Sequence, residues 1–190
     1  TISDTPEGRS GKSIVSMALC QLRNGLLMDG KKINFDSPFV FQNVTYDTDL
    51  VIMDDVSKAF NYESIFHMIT SDFTFERKGR DSKTIPFEES PKMLISTNYM
   101  VSGDGGSADA RKQEYEFSAY YHAGYSPKDE FGHNLFDQWD EAEWARFDAF
   151  MFDSVTFYLQ NSLVAPSVVN ISERKLLQGT SQDFIDFMDT

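Results

Sequence analysis

The sequence has 190 residues, of which 41% are hydrophobic and 25% are charged. This composition excludes disordered, collagen-like and low-complexity chains, and the length is that of one domain with a buried core. The formal net charge of −13 argues against a general nucleic-acid coat protein, because such proteins need a basic surface. A single cysteine, Cys20, excludes an internal disulfide. The cysteine usage fits a reducing cytoplasm, where we expect the protein. No apolar run approaches the roughly 20 residues of a membrane span, so we expect no membrane partner.

The first half of the chain alternates between strand-like and helical patterns. It opens directly before a motif that normally follows a buried strand, so we expect a piece of a longer polypeptide that begins inside or just after that strand. Apolar periodicity predicts a helix over residues 13–24, and strand-like sequence follows at residues 33–35 and 39–43. The continuous apolar run 50–53 predicts a strand buried on both faces of a parallel sheet.

The second half continues this alternation and adds a hairpin. The predicted elements, in chain order, are a helix over 57–69, hairpin strands at 73–77 and 84–87, a strand at 92–96, a glycine-rich loop at 102–107, a strand at 115–121, and helices over 138–160 and 181–188. Strands that alternate with helices indicate an α/β domain with a mainly parallel sheet, a β-hairpin insertion and a helical C-terminal tail.

A phosphate-loop-like motif precedes the first predicted helix and consists of Gly8, Arg9, Ser10, Gly11, Lys12 and Ser13. Glycines allow a phosphate to approach the backbone closely, and a helix N-terminus supplies N–H donors and a favourable dipole. Lys12 would reach the β- and γ-phosphates of ATP, and the Ser13 hydroxyl would ligate Mg²⁺. Pro6 stands where the full pattern G-x-x-x-x-G-K-[ST] has its first glycine. An ordinary glycine turn before a helix is the alternative.

Two further polar positions follow predicted strands. Asp54 and Asp55 end the apolar run, where a nucleotide hydrolase needs one carboxylate for Mg²⁺ and an acidic neighbour that orients or activates water. Asn98 ends the strand 92–96, which we expect between the other two motif strands, and its amide would position the attacking water. An acidic turn and a simple turn asparagine are the alternatives.

Two basic features complete the set of candidate residues. Arg111 follows the glycine-rich loop, and a guanidinium there could stabilise the phosphoryl group transferred in a neighbouring subunit. The predicted hairpin turn is basic in an otherwise acidic chain, and such a tip could follow a DNA backbone. Its four cations are Arg77, Lys78, Arg80 and Lys83. A solvated surface is the alternative in both cases.

Taken in order, these elements resemble the superfamily 3 helicases, an AAA+-like group of viruses, phages and plasmids. The resemblance is carried by residues 8–13 as Walker A, 50–55 as Walker B, 73–87 as the B′ region and 95–98 as motif C. The segments 125–131 and 134–139 are similar to the helicase end of phage and mobile-element primase-helicases.

The resemblance implies an AAA+-like P-loop NTPase core in residues 1–121 and a C-terminal helical extension in residues 122–190. It implies a hexameric ring that hydrolyses ATP at subunit interfaces and translocates along single-stranded DNA during replication of a phage or mobile element. Any primase activity would lie on another segment of the parent chain, and the setting would be the cytoplasm of a bacterial or phage-infected cell. The implied roles are phosphate binding by Lys12, Mg²⁺ binding by Ser13 and Asp54, catalysis by Asp55, sensing by Asn98, a finger in trans by Arg111, and DNA binding by Arg77, Lys78, Arg80 and Lys83.

Other functions remain open from the residues alone. A P-loop kinase for a nucleotide or small metabolite would share the phosphate loop, although it has no need of the Asp54–Asp55 pair or of Asn98. A P-loop ATPase that does not act on DNA and a non-catalytic assembly module are also compatible with the motifs.

Overall fold

The computed structural model describes residues 2–3, 10–99 and 111–164 and has α/β architecture. The strands are β1 (Ile2–Ser3), β2 (Gly25–Asp29), β3 (Leu50–Val56), β4 (Phe73–Phe75), β5 (Lys83–Ile85), β6 (Lys92–Thr97) and β7 (Tyr115–Glu116). Five of them form a parallel sheet in the order β2-β3-β6-β1-β7, and β4 pairs with β5 in a separate antiparallel hairpin. The predicted parallel sheet and the predicted hairpin are confirmed, and the strand expected before the glycine motif is present as β1.

The helices are α1 (Lys12–Leu22), α2 (Phe66–Thr70), α3 (Pro127–Phe131) and α4 (Glu141–Asn161). Short 3₁₀ turns occur at Tyr62–Ile65 and Phe87–Glu89. The long helix α4 begins where a capping box between Asp140 and Glu143 satisfies the first backbone N–H groups. Within the described part of the chain, no helix is both long enough and apolar enough to cross a membrane.

The core is centred on β3, whose residues Val51, Ile52 and Met53 have no exposed surface. Burial on both faces is what a strand inside a parallel sheet requires, and it explains the continuous apolar run. The base of the hairpin packs into the same core, because Phe73 and Ile85 cluster with Val51 and the loop residue Phe41. The hairpin is therefore fixed to the sheet at its base.

The region between β2 and β3 differs from the prediction. Strands were expected at residues 33–35 and 39–43, but both predictions are wrong because this region forms successive tight turns, such as Gln42 N to Phe39 O and Val44 N to Phe41 O. The aromatic side chain of Phe41 fills the core: it is 2% exposed, although the residue lies in a turn. The strand that does form lies just before this region. It is β2, which begins at Gly25, where the sequence suggested only the end of a helix.

Two other elements are shorter than predicted. The helix expected over 57–69 begins only at Tyr62, after Asn61 caps its first turn by accepting a hydrogen bond from Glu63 N. The strand expected over 115–121 contains only β7. The predicted loop 102–107 and helix 181–188 lie outside the described residues. The division into a core at 1–121 and an extension at 122–190 stays a prediction, although α3 and α4 both lie in the second part.

Candidate nucleotide-binding site

Residues from three distant parts of the sequence meet at the start of α1. The Lys12 ammonium donates a hydrogen bond to Asn98 Oδ1 over 2.7 Å, across 86 positions of the chain. The Ser13 hydroxyl donates to Asp54 Oδ2 over 3.0 Å, across 41 positions. The structure thus brings together the lysine, the hydroxyl, the carboxylate and the amide that the motifs singled out.

The strand order explains this meeting. In the parallel sheet β6 lies between β3 and β1, so the carboxyl ends of all three strands reach the same edge. Asp54 lies near the end of β3, and Asn98 directly follows β6. Open α/β sheets bind ligands at this edge, where loops and helix N-termini converge. The predicted position of the 92–96 strand, between the other two motif strands, is confirmed.

The start of α1 has the backbone geometry of an anion site. Gly11 is the N-cap residue and has φ 97°, a left-handed conformation that glycine adopts without strain. As a glycine it has no side chain that could cap the helix. The positive end of the dipole of this 11-residue helix lies at Lys12. Lys12 itself is only 8% exposed, which holds its charge close to the end of the helix.

A bulge in β3 sets the directions of the two carboxylates. The register between β3 and β6 shifts between Met53 and Val56, and Asp55 has φ 57°, which is unusual for a residue other than glycine. The buried Ser96 hydroxyl fastens this bulge, because it donates to Asp54 Oδ1 over 2.5 Å and accepts from Asp55 N over 2.9 Å. Bulges often turn side chains toward active sites, and strained backbone tends to collect there.

Lys31 is a site residue that the motifs did not reveal. Its ammonium forms an ion pair with Asp55 Oδ2, and this hydrogen bond raises the pKa of the lysine above its ordinary value. The preceding Gly30 places it there: Gly30 N donates to Asp54 O over 2.6 Å, and a Cβ at Gly30 would lie 2.6 Å from that same oxygen. Only the β2–β3 register places Lys31 beside Asp55, so a signal for this pairing is absent from the local sequence.

The basic hairpin divides into an anchor and a tip. The Arg77 guanidinium turns inward, donating to Val44 O over 2.7 Å and to Gln42 O over 3.2 Å, and it also lies over the ring of Phe75. The other three cations are exposed and are called the basic tip below: Lys78, Arg80 and Lys83. Arg77 therefore supports the hairpin instead of offering its charge at the surface.

The remaining predicted residues are placed as follows. Arg111 is exposed, its guanidinium lies 5.1 Å from the ring centre of Phe66, and its carbonyl accepts a hydrogen bond from Tyr62. Ser10 is buried beside Gly11. Gly8 and Arg9 lie outside the described residues.

The donor set fits a magnesium ion. Mg²⁺ prefers oxygen ligands and usually takes one or two protein oxygens together with phosphates and water. The Ser13 hydroxyl and the Asp54 carboxylate supply such a pair of protein oxygens, already within hydrogen-bond distance of each other. Beside them, Lys12 and the start of α1 supply positive potential for phosphate oxygens.

Comparison with known proteins adds little to this picture. No protein-family model matches the sequence, and no curated protein matches it. Among solved structures, two A-form apo structures of the NrS-1 C-terminal region are similar, each at 16% sequence identity, with TM-scores of 0.45 and 0.43. The similarity covers 77% of this chain and 32% of the other, so the chain spans about a third of that length. TM-scores below 0.5 carry no weight for function, which therefore depends on the site itself.

Proposed function

We propose that this chain is the ATP-hydrolysing motor part of a superfamily 3-type helicase that acts on single-stranded DNA in replication of a phage or mobile element. One observation carries the proposal: two hydrogen-bonded pairs, Lys12 with Asn98 and Ser13 with Asp54, bring three separate segments together at the start of α1. An ordinary glycine turn before a helix has no need of a carboxylate and an amide from two distant strands beside its lysine and hydroxyl.

In this proposal the group binds the triphosphate of ATP. Lys12 exchanges its hydrogen bond with Asn98 for phosphate oxygens, and the start of α1 adds its dipole. Ser13 and Asp54 would hold Mg²⁺, which would neutralise charge on the phosphate oxygens. Gly8, Arg9 and Ser10 have the phosphate-binding role that the motif predicts. The Asn98 amide, released by Lys12, then orients the attacking water.

Asp55 accepts a proton from that water while the water oxygen attacks the γ-phosphorus. The bond between the γ-phosphorus and the ADP oxygen breaks, and ADP leaves. Lys31 positions this carboxylate through their ion pair. The role of Lys31 is orientation, because an exposed ion pair by itself adds little stability. A carboxylate that rotates freely would spend less time in line with the water.

The DNA-binding part of the proposal depends on the hairpin. The basic tip offers three exposed cations close together in a chain of net charge −13, so this small surface is the proposed contact with the DNA backbone. Arg77 fixes the hairpin by its bonds to two carbonyl oxygens. In a hexameric ring the six tips would line the central channel, and Arg111 would reach the nucleotide of the neighbouring subunit.

Equilibrium binding of Mg²⁺–ATP tests the site. We expect binding by the unchanged chain, loss of at least tenfold in affinity for Lys12→Ala, and loss of Mg²⁺ dependence for Asp54→Asn. Lys32→Ala is the matched control, because Lys32 is exposed and pairs with Asp29 instead of with the site. Equal effects of the two lysine substitutions would contradict the proposal. Phosphate transfer to an acceptor other than water would favour a kinase instead.

A further inference from the structure

Three tyrosines gather beside the candidate phosphate site and are called the tyrosine cluster: Tyr120, Tyr121 and Tyr125. The ring centres of Tyr120 and Tyr121 are 4.9 Å apart in an edge-to-face arrangement. Tyr125 completes the group at 5.9 Å from Tyr120 and 6.2 Å from Tyr121. A backbone bridge between His122 and Tyr125 closes the turn that carries these residues.

The cluster lies close to the N-cap residue of α1. A Cβ at Gly11 would lie 3.6 Å from Tyr121 Cδ2, which is ordinary van der Waals contact. Lys12 and Ser13 follow directly, so the aromatic group and the proposed phosphate site lie side by side. A nucleotide whose phosphates rest at Lys12 has its nucleoside within reach of this cluster.

The chemistry of the cluster suits a base and disfavours a phosphate. Glu130 accepts hydrogen bonds from Tyr121 over 2.6 Å and from Tyr120 over 3.2 Å, which fixes the rings and puts a carboxylate among them. The bond to Glu130 raises the pKa of Tyr121 to about 12, so the phenol stays neutral at physiological pH. A negative carboxylate repels phosphate oxygens, whereas neutral rings stack on any base. Tyr120, which is 57% exposed, offers the accessible ring.

We propose that the tyrosine cluster binds the base of the nucleoside triphosphate whose phosphates occupy the site at Lys12. Positive charge and N–H donors at one end, and neutral rings with a carboxylate at the other, fix the direction in which the nucleotide lies. Tyr120 stacks on the base, and Tyr121 holds the cluster against Gly11. This inference rests on the proposed function, since it assumes that the neighbouring site takes the triphosphate.

Calorimetric titration of the full chain with Mg²⁺–ATP and with Mg²⁺–tripolyphosphate, which has no base, tests the inference. Tyr120→Leu should weaken ATP binding about tenfold and leave tripolyphosphate binding unchanged, because stacking on one aromatic ring is lost. Tyr120→Phe should restore the affinity for ATP. Tyr46→Leu is the matched control, since Tyr46 is also 57% exposed but precedes β3 at the opposite end of the strand from Asp54.

The outcomes separate the two proposals. Equal weakening of both ligands by Tyr120→Leu, or weakening of neither, would overturn the inference and leave the phosphate site intact. A loss confined to single-stranded DNA affinity would also overturn it, since the rings would then serve DNA bases. If the unchanged chain bound neither ATP nor tripolyphosphate, the proposed function would fail first and the inference would fail with it.

Discussion

Replacing Ser96 by alanine removes the hydroxyl that joins the two carboxylate positions. Ser96 is 1% exposed, donates to Asp54 Oδ1 and accepts from Asp55 N. A hydrogen bond to a charged group contributes about 1.5–3 kcal/mol, and a buried donor without a partner costs about 1–3 kcal/mol. Because both aspartates are partly exposed, water can replace some of these bonds. We therefore expect the lower end, a loss of about 2 kcal/mol in the free energy of unfolding.

Urea unfolding and thermal unfolding measure the loss of stability in Ser96→Ala, and Mg²⁺–ATP binding measures the effect on the site. For a domain of this size, 2 kcal/mol corresponds to a fall in Tm of about 4–8 °C. The affinity for Mg²⁺–ATP should also fall, because Asp54 is no longer held beside Ser13. Ser90→Ala is the matched control: Ser90 is 7% exposed and donates only to the carbonyls of Ile85 and Pro86. It should cost about 1 kcal/mol and leave ATP binding unchanged. Equal effects of both serine substitutions on ATP affinity would refute this account of the bulge.

Three further substitutions test separate parts of the structure. Gly30→Ala puts a Cβ 2.6 Å from the Asp54 carbonyl oxygen, so it should destabilise the chain by about 1–3 kcal/mol in urea unfolding, whereas Gly124→Ala meets only His122 at 3.5 Å and should be neutral. Lys31→Met should lower the kcat of ATP hydrolysis about tenfold at unchanged KM, with rescue by Lys31→Arg; a rise in KM alone would contradict a positioning role. Exchanging all three cations of the basic tip for glutamine should reduce the salt-dependence slope of single-stranded DNA binding by about 2 and spare ATP binding; an unchanged slope would exclude the tip as the DNA contact.

Much of the fold follows from local sequence patterns. The strands β3 and β6 are short apolar runs bounded by polar residues, and burial within a parallel sheet accounts for both. We predicted strands in the turns between β2 and β3 because apolar residues such as Phe41 occur there. Phe41 packs into the core from a turn, so its apolar side chain does not indicate an alternating strand. The strand β2 was missed because its first residue, Gly25, is also a common helix stop.

The site could be predicted only where a motif has a fixed chemical role. Lys12 and Asn98 were predicted from their positions next to a helix start and a strand end. In the structure Lys12 Nζ lies 2.7 Å from Asn98 Oδ1. Three other parts of the site follow from tertiary structure. Strand register places Lys31, the bulge in β3 gives Ser96 its role, and packing of a distant segment brings the tyrosine cluster near α1. A local pattern does not encode such relations, so these residues emerge only from the three-dimensional structure.

ATP turnover by the chain, measured with and without single-stranded DNA and compared with Lys12→Ala, tests the central claim most directly. The account predicts hydrolysis that DNA stimulates and that Lys12→Ala abolishes, because in the proposed function Lys12 binds the phosphates of ATP. Turnover that survives Lys12→Ala unchanged would contradict the claim that this site is the motor. Turnover that depends on Lys12 but is indifferent to DNA would contradict the helicase assignment and leave a P-loop ATPase of another kind.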